Sequence, residues 1–157
     1  MNEELLAPLH EKLRHLEKMR RHLLYSQTEV QSWWKVSDPF DEISDPHLTS
    51  LTAFKARFAE MQDHLAAAMR LIANIENEDT RLFSYVLNYM EQIEILDNMA
   101  AWQKVRHLRN TATHDYSDAE EVKSQHFEEL LQSTPYLLSV FDTIKQFVLT
   151  HYSGKTK

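Results

Sequence analysis

The chain contains no cysteine, a single glycine at position 154 and only four prolines in 157 residues. Without thiols there is neither a disulfide framework nor a thiolate metal site, a composition that suits a reducing compartment. One glycine cannot serve the many tight turns of a β-sandwich or barrel. It also excludes the glycine-rich loop that cradles phosphates in nucleotide-binding folds. Long apolar runs are missing as well. No stretch approaches the roughly 20 apolar residues of a membrane span, and the opening segment "MNEELLAPLHEKLRHL" holds no apolar run of signal-peptide length. The expectation is a soluble, cytoplasmic, almost entirely helical protein with no membrane partner.

Hydrophobic residues make up 43% of the chain, enough for one continuous core, so residues 1–157 are expected to form a single domain. The formal charge of −7 means that the surface as a whole does not attract nucleic acid, and any such contact has to be local. Two basic spans qualify. One runs over residues 12–22, with Lys12, Arg14, Lys18, Arg20 and Arg21; the other, over 104–109, carries Lys104, Arg106 and Arg109. A solvated helix face is the plainer reading of the first.

Apolar spacing divides the chain into about five helices. Leu9, Leu13, Leu16, Leu23, Val30 and Trp34 draw one stripe along residues 3–36, interrupted by Arg20 and Gln27. The segment "SDPFDEISDP" stops that helix, because proline disfavours helical geometry in the residue before it. Its acidic residues Asp38, Asp41, Glu42 and Asp45 lack the spacing of a calcium loop and suit a solvated linker. Leu51, Phe54, Phe58, Met61, Leu65, Ala68, Ile72 and Ile75 predict a core helix over 48–75. A third helix over 81–96, apolar on a wide face, is expected to sit centrally. Asp97 or Asn98 caps a fourth, whose apolar side is Met99, Trp102, Val105 and Leu108. Ser117 with Glu120, or Asp118 with Glu121, offers a capping box for a last helix that continues, kinked, through Pro135. The tail 153–157 is expected to be disordered. An all-α, up-and-down bundle follows.

Chemistry is thin along most of this framework. His10 and His15 are one residue too far apart for the paired helical ligands of H-E-x-x-H, and no carboxylate stands at ligand spacing between His15 and His22, so neither a metal nor another cofactor is implied. No serine sits in a nucleophile elbow, and Trp33, Trp34 and Trp102 fall on or beside the apolar stripes. The exception is "LRNTATHDY", residues 108–116. Asn110 and His114 share a helix face, as do Arg109 and Thr113, whereas Arg109 and His114 converge only at a helix end or across a cleft between subunits. A cationic helix terminus that complements the helix dipole is the structural alternative.

The order arginine, asparagine, three residues, histidine, any residue, tyrosine, preceded by "AAWQKVRHL", resembles the R-x4-H-x-Y signature of the HEPN superfamily. It is most similar to HepT-like toxins, the partners of minimal nucleotidyltransferases. Identity is local, from Trp102 to Tyr116. The resemblance implies a helical bundle that pairs as a homodimer with two motifs facing each other across a cleft. It implies a metal-independent endoribonuclease in which Arg109 and His114 carry the activity, supported by Asn110. It further implies an antitoxin nucleotidyltransferase that silences the enzyme by adenylylating Tyr116.

RNA brings its own nucleophile, the 2′-hydroxyl beside the scissile phosphate, so a proton-transfer group and a cation are sufficient. Imidazole titrates near neutrality, which suits His114 to the first task, and the guanidinium fork of Arg109 suits the second. Lys104 and Arg106 are the candidate additional RNA contacts. Two alternatives stay open: a non-catalytic HEPN module that binds RNA or a nucleotide and docks a nucleotidyltransferase, and a purely structural helical bundle.

Overall fold

A computed structural model describes residues 1–111 and 119–153, with the side chain of Thr111 left aside. Among these residues the structure is all-helical, without a strand. A 3-10 turn at Glu3–Leu5 leads into α1 (Leu6–Gln31), and a second at Phe40–Glu42 precedes α2 (Asp45–Ile75). Then follow α3 (Phe83–Gln92), α4 (Met99–Thr111) and α5 (Glu120–Tyr152). No helix among them is long and apolar enough to cross a membrane.

The core is the meeting of the predicted stripes. Leu9, Leu16, Leu23 and Val30 of α1 are completely buried at seven-residue intervals. All eight stripe residues of α2, from Leu51 to Ile75, are buried with them. An α1–α2 hairpin therefore forms the body of the bundle, and α5 lies along both helices. The polar interruptions in α1 have separate fates. Arg20 reaches Asp142 of α5 at 3.6 Å, while Gln27 is buried.

Helix α5 runs unbroken through Pro135. Proline has no N–H to offer the preceding turn, and the side chain of Thr134 donates at 2.9 Å to the carbonyl of Leu130. Phe127, Leu131, Phe141, Ile144 and Val148 of α5 are buried in one phase, Leu138 is half-buried, and Leu130, Leu137 and Val140 widen the buried face, because α5 faces α1, α2 and α4 together.

Four expectations need correction. Helix α1 ends at Gln31, short of 36, because its two tryptophans take partners outside the helix. Trp33 stacks on His47 with ring centroids 4.1 Å apart, and the indole of Trp34 donates at 2.7 Å to Glu128 of α5. The second Asp-Pro pair opens a helix where a linker was expected. Ser44 caps α2 by accepting from the amide of His47, and Pro46 occupies the first turn, where its missing N–H costs nothing. The connection before it is not merely solvated, since Phe40 stacks on Phe127 at 5.8 Å. Finally, α3 is peripheral. Among the described residues it packs only on α2 and α4, and Leu82, just before it, is exposed; the central helix is α2, which touches the other four.

Both short connections around α3 use left-handed residues without glycine. Asn77, at φ 60°, follows α2, and the Glu78 amide returns to the carbonyl of Ala73 at 2.9 Å. Glu94, at φ 64°, follows α3 in the same way, the Ile95 amide returning to Met90 at 2.9 Å. This is the usual closing motif of a helix, in which a positive φ is normally taken by glycine. The carboxamide of Asn98 then accepts from the amide of Ala101 at 2.8 Å, so Asn98 is the predicted cap of α4. Helix α5 begins with Ala119 at its N-cap position. The proposed capping residues Ser117 and Asp118, and the tail from 154 onward, lie outside the described residues.

Candidate functional site

Helix α4 rests its apolar side on the bundle, with Trp102 completely buried and Val105 and Leu108 nearly so. That orientation leaves Lys104 and Asn110 exposed and turns Arg106 and Arg109, three residues apart, toward α2 and α3. Arg109 stands in the last turn of α4, where a cation complements the negative end of the helix dipole. One of its terminal nitrogens donates to the carboxylate of Asp63 on α2 at 2.9 Å. Its side chain is 30% exposed and that of Asp63 is 54% exposed, so the pair lies at the surface. The buried Nε of Arg109 has no hydrogen-bond partner among the described residues.

Asp63 also lines a groove of about 490 Å³ between α2, α3 and α4. From α2 it is lined by Asp63, Ala66, Ala67, Arg70 and Asn74, which recur at helical spacing and so share one face. Phe83, Trp102 and Arg106 close the opposite side. The guanidiniums of Arg70 and Arg106 lie 5.5 and 5.6 Å from the centroid of the same Phe83 ring. Cation–π attraction holds each of them there. Arg70 is also fixed by a hydrogen bond to the Thr80 carbonyl, while Thr80 donates through its hydroxyl to Asn74 at 2.8 Å.

Two buried polar atoms accompany these charges. The indole nitrogen of Trp102 and the side-chain oxygen of Gln62 both belong to groove residues, and neither has a partner among the described residues. A buried polar atom left without a partner costs about 1–3 kcal/mol, so each marks a place where a hydrogen-bonding group would be stabilising.

Of the residues singled out in the sequence, Arg106 therefore lines the groove, and Arg109 reaches it only through Asp63. Lys104 does not line it, and Asn110 is exposed beyond it. His114 and Tyr116 lie outside the described residues. The basic span 12–22 is largely engaged elsewhere: Arg14 pairs with Glu11, Lys12 lies 2.9 Å from the Nδ1 of His64, and Arg20 reaches Asp142. Burial, reinforced by the Lys12 ammonium, holds His64 below the ordinary histidine range. Among the described residues no group of three or more His, Cys, Asp or Glu side chains is arranged to hold a metal ion.

Asp63 and Arg70 are not among the residues singled out in the sequence. The available signal was "QDHLAAAMR", in which small residues and one arginine flank the core stripe of α2 and leave room for a groove. What it lacked was the neighbour, since α3 and α4 complete the cleft from the other side. No family model matches the chain, and neither a curated protein nor a solved structure does.

Proposed function

We propose that the protein is a metal-independent endoribonuclease of the HEPN type, acting as a homodimer and as the toxin of a toxin–antitoxin pair. The observation that carries this reading is the link from Arg109 through Asp63 to a groove that already holds Arg70 and Arg106. A protein of net charge −7 thus holds Arg70 and Arg106 in a groove to which the motif residue Arg109 is tied through Asp63. In the proposed reaction His114 removes the 2′-hydroxyl proton. The freed oxygen attacks the adjacent phosphorus, the bond to the 5′-oxygen breaks and that oxygen takes up a proton. The products are a 2′,3′-cyclic phosphate and a 5′-hydroxyl end. Arg109 exchanges Asp63 for the phosphate and stabilises the charge that develops there. Asn110 supports His114, and Lys104 and Arg106 guide the strand. A nucleotidyltransferase partner silences the enzyme by transferring AMP to Tyr116, which places a bulky anion where the RNA phosphate has to sit.

The test is cleavage of a labelled RNA by the purified protein with and without EDTA. Activity that survives the chelator, leaves cyclic phosphate ends and disappears in His114→Ala and Arg109→Ala, with helicity retained, is the expected result. Undiminished cleavage in His114→Ala ends the assignment. Co-expression with a neighbouring nucleotidyltransferase is expected to add AMP to Tyr116, located by mass spectrometry, and AMP on any other residue contradicts that part. The engagement of Arg109 by Asp63 favours one second reading, a non-catalytic module that binds RNA and docks the same partner. Saturable RNA binding without cleavage distinguishes it.

A further inference from the structure

We infer that the groove between α2, α3 and α4 binds the phosphate of a nucleotide, gripped between Arg70 and Arg106, with the base lodged along the wall toward Trp102 and Gln62. Two like charges line the same groove, at 5.5 and 5.6 Å from the centroid of one aromatic ring, so an anion in that groove is attracted by both. Each guanidinium is a planar fork that can give two N–H groups to phosphate oxygens. With no RNA phosphate on Arg109, the one carboxylate of the groove, Asp63, is paired with that arginine, which offsets its effect on the attraction.

A nucleotide fits better than a bare anion. The groove, at about 490 Å³, is of the size that small organic ligands occupy, and Ala66, Ala67 and Leu71 give it an apolar wall. Next to that wall stand a donor and an acceptor, the Trp102 indole N–H and the Gln62 oxygen, both buried and without partners among the described residues. The edge of a base offers the complementary pair. The nucleotide can be free or one unit of an RNA strand. In the second case the inference deepens the ribonuclease reading by anchoring the strand one helical turn from Arg109.

The experiment is titration of the full chain with 5′-AMP, with a 2′-O-methyl adenosine hexamer that cannot be cleaved, and with inorganic phosphate, followed by calorimetry. AMP or the hexamer is expected to bind saturably, and Arg106→Ala is expected to weaken that binding about tenfold or more and to lower its salt dependence. Arg106 is exposed, so this variant is expected to fold as the parent does, which a melting curve checks. Arg70→Lys keeps the charge but removes the fork, and a comparable loss is expected. Binding of AMP identifies a free-nucleotide site, and binding of the hexamer alone identifies a strand site. The inference is overturned if neither nucleotide binds, if Arg106→Ala binds as the parent does, or if inorganic phosphate competes as effectively as AMP. Saturable AMP binding in a protein that never cleaves RNA sinks the ribonuclease reading and leaves the groove standing.

Discussion

The guanidinium of Arg109 is held at 2.9 Å by the carboxylate of Asp63, a residue of a different helix that also lines the arginine-bearing groove. The contact is partly exposed, and exposed ion pairs of this kind contribute only about 0–1 kcal/mol to folding. Under the proposed function its larger effect is on RNA binding, because there Asp63 competes with phosphate for the same cation. Asp63→Asn is expected to leave the melting temperature nearly unchanged while strengthening RNA binding about fivefold, the equivalent of roughly 1 kcal/mol between water-screened charges in contact. Weaker binding in this variant, measured by fluorescence anisotropy at fixed salt, contradicts a competitive role.

Glu94 carries a backbone cost that glycine would not. A non-glycine residue in left-handed geometry costs about 1–2 kcal/mol, partly offset by the extra freedom that glycine has in the unfolded chain. Glu94→Gly is therefore expected to stabilise the protein by about 0.5–1 kcal/mol, a rise of roughly 1–4 °C in Tm. Asn77→Gly is expected to gain less, since asparagine tolerates this conformation. Urea denaturation of the two variants orders them, and a loss of stability in Glu94→Gly contradicts the argument.

The phenol of Tyr152, near the end of α5, donates at 2.7 Å to Glu76, the residue that closes α2. Burial raises the phenol well above its ordinary range, and the bond to Glu76 adds to that. The hydroxyl thus stays protonated as a donor throughout the neutral range. Tyr152→Phe keeps the ring in the core but removes the donor, so a loss of about 1–2 kcal/mol in denaturant titrations is expected. A neutral substitution here means that water serves Glu76 equally well.

His64 makes stability sensitive to acid. Burial, with the Lys12 ammonium beside it, holds its folded-state pKa below the ordinary histidine value, so the unfolded chain binds the proton more readily. Stability from this residue is present above that value and is lost as pH falls through the lower, folded pKa. The parent protein is expected to lose stability between neutral and mildly acid pH, and His64→Gln to lose less over the same interval. Parallel curves for the two proteins sink the assignment of this step to His64.

Much of the framework was legible because it is local. The three- and four-residue repeat from Leu51 to Ile75 describes a buried face of α2 wherever that helix packs, and the capping role of Asn98 depends on the next turn alone. Helix ends were less legible where a distant partner decides them. Trp33 and Trp34 continue the apolar phase of α1, yet contacts with His47 and Glu128 draw them out of it. The candidate site divides in the same way. Arg106 and Arg109 stand out as cations of one short span, whereas Arg70 and Asp63 look like ordinary surface residues until α4 is laid beside α2.

By itself the sequence determined an all-α chain, the buried faces of its long helices and the Arg109–Tyr116 motif, since periodicity, glycine poverty and spacing act within a few residues of one another. Tertiary structure decided that α2 is central and α3 peripheral, that Arg109 meets Asp63, and that Arg70 and Arg106 share the Phe83 ring. These relations join residues far apart in the chain. Hydrophobic periodicity specifies which side of a helix is buried but not which helix covers it, and that choice is made only when the side chains of all five pack together.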